Sequence, residues 1–125
     1  MGAQLMAKGG VIRADRYPTD DFPWGRLSWF VSGAIGNSET LTVGQCVLGP
    51  EQANQPHYHP NCDEVLHVLK GRIAHRLDEE YVDMEAGDTI SIPQGSVHNA
   101  RNLGSDDAVL IIIFSTPDRQ VVGLE

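Results

Sequence analysis

The segment from Pro56 to Glu64 constrains the fold more than any other stretch, because it holds two histidines two residues apart between two prolines. Proline lacks an amide donor and pushes the preceding residue toward extended backbone, so Pro56 and Pro60 disfavour a helix here. On a β-strand, residues i and i+2 face the same side. His57 and His59 can therefore aim both rings at one point, which predicts an extended metal-chelating segment.

Two further groups can complete such a site. Glu64 stands just before the apolar run 65–69, and His98 follows the turn 93–95, which can return a second strand to the first. Three imidazoles and one carboxylate suit a divalent first-row metal such as Mn, Fe, Co, Ni or Zn. The predicted metal ligands are His57, His59, Glu64 and His98.

These residues carry a resemblance to a known family. The pattern HxH, four residues, Glu, six residues, Gly is filled by His57, His59, Glu64 and Gly71. The pattern Gly, five residues, PxG, two residues, His, three residues, Asn is filled by Gly87, Pro93, Gly95, His98 and Asn102. Together they resemble the two motifs of the cupin superfamily. One position departs: where the first motif opens with glycine, this chain has Glu51, with Gly49 two residues earlier. The departure predicts a longer or differently shaped loop before His57.

The order of strand and turn signals predicts an all-β fold. Eight or so short strands, rich in β-branched residues, are separated by turn signals, and no helical period appears. The resemblance implies a double-stranded β-helix, that is, a jelly-roll barrel. We expect an N-terminal arm over 1–26, including an irregular stretch around Asp20–Gly25, then the cupin barrel over 27–116 and a C-terminal tail over 117–125. The resemblance also implies a homodimer.

Size and charge exclude several classes of protein. A chain of 125 residues forms one domain. A net charge of −8 repels the phosphate backbone, so no nucleic-acid partner is expected. No apolar run is long enough to span a bilayer, so no membrane partner is expected. The N-terminus lacks the features of a secretory signal, which indicates a cytoplasmic location.

Other polar residues are weaker candidates. Cys46 and Cys62 are too few for a disulfide framework and are interpreted as packing residues. His67 has the opposite parity to Glu64 and should face away from the site, whereas His75 can reach the rim of the pocket. The candidate groups for binding a polar substrate are Arg101, Arg72, Gln45 and Tyr81.

The resemblance implies metal-dependent chemistry on a small polar metabolite, because cupins include oxygenases, decarboxylases, isomerases and lyases. We favour a dioxygenase among these. Glu64 is the predicted catalytic residue, either as a metal ligand or as a free proton acceptor. Two alternatives stay open. One is a non-enzymatic domain that binds or senses a small ligand, and the other is a metal site or hydrogen-bonded pocket that only stabilises the barrel.

Overall fold

The strands of this protein fold into two antiparallel sheets, seen in a computed structural model that describes residues 10–124. The strands are β1 Thr19–Phe22, β2 Gly25–Val31, β3 Thr42–Leu48, β4 His57–Tyr58, β5 Glu64–Lys70, β6 Arg72–Leu77, β7 Glu80–Glu85, β8 Thr89–Ile92, β9 His98–Asn102, β10 Ala108–Phe114 and β11 Val122–Gly123. A single 3₁₀ turn, Ala14–Arg16, is the only helical element in this part of the chain. The predicted all-β jelly roll is confirmed.

The larger sheet has the order β1-β2-β3-β10-β5-β8, and the smaller has the order β11-β4-β9-β6-β7. In β3, β5 and β10 every second residue is buried, because alternate side chains of a strand point to opposite faces. The buried apolar residues form one core: Cys46, Leu48, Cys62, Leu66, Val68, Ile73, Met84, Ile92, Ala100, Ala108, Leu110, Ile112 and Phe114. No helix in the described part of the chain is long and apolar enough to cross a membrane.

The expectation of an irregular arm around Asp20–Gly25 is wrong. Thr19 to Phe22 pair with Gly25 to Ser28 as a tight hairpin at the edge of the larger sheet. The rings of Phe22 and Trp24 stack at 4.7 Å and are nearly parallel. This aromatic contact and the ladder hydrogen bonds outweigh the weak strand preference of two aspartates, Asp20 and Asp21. Residues 1–9 of the predicted arm and Glu125 lie outside the described residues.

Strand β2 ends at Val31, although the β-branched and aromatic residues from Leu27 to Ile35 predict a longer strand. A loop follows, and the side-chain amide of Asn37 closes it. Its Oδ1 accepts a hydrogen bond from the Ser32 amide at 3.0 Å, and its Nδ2 donates to the Phe30 carbonyl at 2.9 Å. The local hydrogen bonds of Asn37 therefore terminate the strand, in spite of the apolar residue at position 35.

The predicted tail also contains ordered structure. Val122 and Gly123 pair with Tyr58 and His57, so the end of the chain lies beside the first histidine strand. The division of the chain into arm, barrel and tail stays a prediction, but residues 118–124 do not project from the barrel. They form part of the wall around the histidines.

Glu51, at the position where the motif has glycine, adopts the backbone conformation that glycine favours. Its φ of 62° lies in the left-handed region that favours glycine. The Arg101 guanidinium donates a hydrogen bond to the Glu51 carbonyl at 2.7 Å, and the turn is closed by a bond from the Gln52 amide to the Gly49 carbonyl at 3.0 Å. The departure in sequence thus appears in the structure as strain at one residue.

We predict opposite effects of glycine at the two non-glycine residues with positive φ, Glu51 and Asp78. Glu51→Gly should raise the free energy of unfolding by about 1 kcal/mol, because it removes the steric cost of the left-handed backbone. Asp78→Gly should lower it by about 1 kcal/mol, because the Asp78 carboxylate accepts a hydrogen bond from the Val97 amide at 3.1 Å. Urea unfolding followed by tryptophan fluorescence measures both. Equal signs would contradict the strain at Glu51.

Candidate metal centre

The two motif histidines approach a third one across the smaller sheet. His57 in β4 is paired in register with His98 in β9, and their ring centroids are 4.3 Å apart. His59 follows β4 directly, with its ring centroid 5.0 Å from that of His57. His59 and His98 are each 3% exposed. The strand geometry therefore brings the three predicted imidazoles to one buried point.

Glu64 enters the same point from the other sheet. It is the first residue of β5 and is 4% exposed. Its Oε1 lies 3.2 Å from Nε2 of His59 and 3.1 Å from Nε2 of His98. One donor atom from each of His57, His59, Glu64 and His98 lies within 4.8 Å of every other. All four predicted ligands are thus brought together.

Main-chain carbonyls fix the protons of two rings. Nδ1 of His57 lies 2.8 Å from the Gln55 carbonyl oxygen, and Nδ1 of His59 lies 2.8 Å from that of Gln120. A carbonyl oxygen only accepts hydrogen bonds, so Nδ1 carries the proton in each ring. Burial, followed by the nearby charge of His98, lowers the pKa of His57 to about 4. His57 is therefore neutral at neutral pH, and its Nε2 offers a lone pair.

Among residues 10–124, the donor atoms at the centre have no hydrogen-bond partner. Nε2 of His59, Nε2 of His98 and Oε1 of Glu64 are buried, and their mutual contacts lack hydrogen-bond geometry. Such atoms are costly to bury unless a proton or a cation lies between them. With the His59 proton on Nδ1, a lone pair of Nε2 faces the carboxylate. The group therefore fits a divalent metal ion, for which three imidazole nitrogens and a carboxylate oxygen are suitable ligands.

The carboxylate is ionised. Burial alone would raise the pKa of Glu64, but His59 and His98, when protonated on the nitrogens that face the carboxylate, outweigh it and lower the pKa to about 2. Glu64 can therefore bind a cation at neutral pH, and it has no proton to donate.

The other two histidines, His67 and His75, lie on opposite faces of their sheets, one outer and one inner. His67 lies on the opposite face of β5, where its Nδ1 is 2.8 Å from the Thr89 hydroxyl, in agreement with its parity. His75 points inward from β6, is fully buried, and stacks on His98 with centroids 5.6 Å apart. Neither of its ring nitrogens has a hydrogen-bond partner. The alternation of buried residues along β6 places His75 on the inner face of the strand. The sequence did not show that His98 lies next to it.

The donor group lies in the wall of a cavity of about 330 Å³. None of the predicted substrate-binding candidates Arg101, Arg72, Gln45 and Tyr81 lines it. Tyr81 is 71% exposed on the edge strand β7, and Arg101 is occupied by the Glu51 carbonyl. Arg119 of the predicted tail lines the cavity instead. Its position could not be read from strand periodicity, because it belongs to no strand.

The two cysteines agree with the interpretation as packing residues. Cys46 lies in the core, and burial raises the pKa of its thiol to about 12. Cys62 is also buried, and burial is the first cause that raises its thiol pKa. Both thiols are therefore protonated at neutral pH, and neither belongs to the four-residue donor group.

Known proteins resemble this chain in sequence and in fold. A family model described as Cupin domain matches residues 44–114. An uncharacterized protein of Aquifex aeolicus (strain VF5) is 37% identical over 78 residues, covering 62% of this chain and 64% of its own. The polyketide synthase CurC of Streptomyces cyaneus is 30% identical over 73 residues, covering 58% and 47%. The chain thus spans less than two thirds of each relative.

Among solved structures, the oxalate decarboxylase of Lactobacillus farciminis in a formate complex superposes with a TM-score of 0.84 at 17% identity. The match covers 90% of this chain and 35% of the decarboxylase. At this identity the likeness concerns the fold.

We predict that the double variant His57→Ala, His59→Ala loses stoichiometric metal while the barrel stays folded, because two of four ligands are removed and no residue of the apolar core is replaced. Elemental analysis and circular dichroism measure the two properties. His67→Ala is the control, since this ring lies on the outer face and should not affect metal content. Full metal occupancy in the double variant would contradict the assignment.

A second prediction concerns the support of His59. The Asn61 amide donates to the Asp118 carbonyl and accepts from the Gln120 amide, each at 2.9 Å, so it holds the tail whose carbonyl orients His59. Asn61→Ala should weaken metal affinity roughly 10-fold, as loss of such outer contacts does. Competition with a chromogenic chelator measures this affinity.

Asn37→Ala is the matched control, because it removes two similar amide contacts in a loop that does not contact the donor group. We expect it to lower stability without changing metal affinity. Equal metal affinities of Asn61→Ala and the unchanged protein would show that the tail does not support His59.

Proposed function

This chain belongs to the cupin family, and from that premise we propose that it is a metal-dependent enzyme acting on a small organic metabolite. The observation that carries the proposal is the group of three imidazole nitrogens and one carboxylate oxygen, within 4.8 Å of one another, in the wall of a cavity large enough for a small molecule. Four protein ligands leave up to two positions for substrate in an octahedral shell. A purely structural metal site would need no such cavity.

We assign His57, His59, Glu64 and His98 as the ligands. A divalent ion bound there would supply Lewis-acid polarisation of substrate oxygens or, if it is iron, activation of dioxygen. His57 and His59 present Nε2 to the ion because main-chain carbonyls accept their Nδ1 protons. As a ligand, Glu64 would lower the net charge of the site. If it does not bind the ion, its carboxylate is the group placed to accept a proton from a bound substrate.

The remaining residues of the cavity bind and enclose the substrate. His75 offers ring nitrogens that no protein group occupies, so it can hydrogen-bond a polar substituent. Phe22 and Trp24 stack on each other in the cavity wall, and Phe114 packs at a steep angle against His59 with centroids 5.0 Å apart. These rings exclude water from the ligands. The exclusion strengthens the electrostatic contacts between protein and substrate.

Among the possible reactions we favour a dioxygenase, with an isomerase or a lyase as the other enzymatic outcomes. The names of one relative, a polyketide synthase, and of one similar structure, an oxalate decarboxylase with formate, are consistent with a small substrate that carries carbonyl or carboxylate oxygens. The homodimer and the cytoplasmic location stay predictions.

We predict that protein purified from its own host contains one equivalent of metal and turns over a member of a panel of small enols, thiols and hydroxy acids. Stoichiometric iron with oxygen uptake would identify a dioxygenase. Manganese, cobalt, nickel or zinc, with substrate conversion but no oxygen uptake, would identify an isomerase or a lyase. Elemental analysis measures the metal, an oxygen electrode measures oxygen uptake, and mass spectrometry of the products measures substrate conversion.

The double variant His57→Ala, His59→Ala is the negative control for turnover. Absence of metal in the native protein would overturn the proposed function. Ligand binding by the metal-loaded protein without conversion of any compound would favour the non-enzymatic ligand-binding domain instead.

A further inference from the structure

Arg119 is a cation in the cavity wall. It lies in the segment between β10 and β11, which the sequence marks only as a polar tail. Its guanidinium carbon is 4.4 Å from the centre of the Trp29 ring and 5.3 Å from that of Phe114. The Phe114 ring also packs against the His59 ring, with centroids 5.0 Å apart and an interplanar angle of 68°. Phe114 thus contacts both the guanidinium and one of the proposed metal ligands.

The guanidinium has no anionic partner. Among residues 10–124, the ion pairs are Arg26 with Asp21 and the two histidine contacts of Glu64, and none includes Arg119. The nearby carboxylates are engaged elsewhere: Asp20 accepts a hydrogen bond from the Trp29 indole at 3.4 Å, and Glu64 faces His59 and His98. Burial lowers the pKa of Arg119 against the opposing charge of Glu64, but an arginine side chain stays protonated in proteins.

The two aromatic rings contact the guanidinium through its planar face and accept none of its N–H hydrogen bonds. Its five N–H donors lie in the plane of the group, so their hydrogen bonds run along the edge and not toward the rings beneath it. A partly buried cation with free donors favours a planar, doubly accepting anion, because a carboxylate meets the arginine fork with two parallel hydrogen bonds.

The remainder of the wall is largely apolar. Aliphatic and aromatic side chains such as Leu27, Leu110 and Ile112 line it together with the rings already described. A compact dianion would leave these surfaces without contact and would bring two charges into an apolar space, which is costly. A molecule with one carboxylate and an apolar body would satisfy both the cation and the wall.

We infer that the cavity binds a small organic monocarboxylic acid with an apolar body, and that its carboxylate pairs with the edge of the Arg119 guanidinium. The inference rests on the proposed function, since it names the substrate class of that same cavity. Arg119 is the specificity-determining residue in this assignment, and the metal ligands have no part in the contact.

The test compares acids with their neutral amides. Phenylacetate and isovalerate, and as isosteric controls phenylacetamide and isovaleramide, are titrated into the full chain by calorimetry at low ionic strength. We expect the unchanged protein to bind the acids at least about 10-fold more tightly than the amides, because a hydrogen-bonded charge pair in a cavity has this magnitude. Arg119→Gln should bind each acid and its matching amide with similar affinity. Arg119→Lys should retain part of the preference for the acid.

Arg16→Gln is the matched control, because it makes the same change of charge at an exposed side chain of the 3₁₀ turn. We expect it to leave the acid preference unchanged. Circular dichroism of each variant checks the fold, and Arg119→Lys keeps the test valid if Arg119→Gln does not fold. Equal binding of acids and amides by the unchanged protein, absence of binding by all four compounds, or an undiminished preference in Arg119→Gln would each overturn the inference.

Repeating the titrations after removal of metal by a chelator separates this inference from the proposed function. A preference for acids that depends on Arg119 in metal-free protein supports the inference, whatever the metal analysis gives. Conversion of a substrate by the metal-loaded protein, with no effect of Arg119 on acid binding, would leave the proposed function standing and reject the carboxylate contact.

Discussion

The buried contact between the Glu64 carboxylate and the imidazoles of His59 and His98 is the interaction on which the rest of the site depends. Three donor atoms with almost no solvent-accessible surface meet there without a hydrogen-bond partner among the described residues. An uncompensated carboxylate at such a position would be expensive. A divalent ion supplies the missing charge, so the same geometry that would destabilise an empty barrel creates a strong binding site in a loaded one.

Two separate parts of the chain hold the histidines in place: the residues just before His57 and the C-terminal segment. The Gln55 and Gln120 carbonyls fix the ring protons of His57 and His59, and β11 pairs with β4. Gln120 is in turn held by the amide of Asn61, two residues beyond His59. Residues 120–123 therefore support the proposed metal ligands, and these contacts bring the neighbouring Arg119 to the cavity wall.

The cavity wall contains groups that can bind a cation and a group that can bind an anion. One part of the wall offers donor atoms to a cation, while Arg119, stacked on Trp29 and Phe114, offers hydrogen-bond donors to an anion. A substrate that binds between them would be oriented by both ends, with its apolar body against the aromatic rings. Fixed orientation of this kind is a major source of rate enhancement in enzymes. The overall charge of −8 is thus no guide to the ligand, because the local charges of the cavity differ from those of the surface.

The residue spacing by itself determined the four donors and most of the strands. His57 and His59 share a face because a strand has a period of two, and the alternation in β5 places Glu64 inside and His67 outside. The same local rules failed for the hairpin at Asp20, where aromatic stacking outweighs propensity, and they gave no information on Arg119. Only the tertiary structure decided which residues share the cavity. Contacts between His59 and Gln120 depend on where the chain end lies after the barrel closes, and no period within a single strand reports that position.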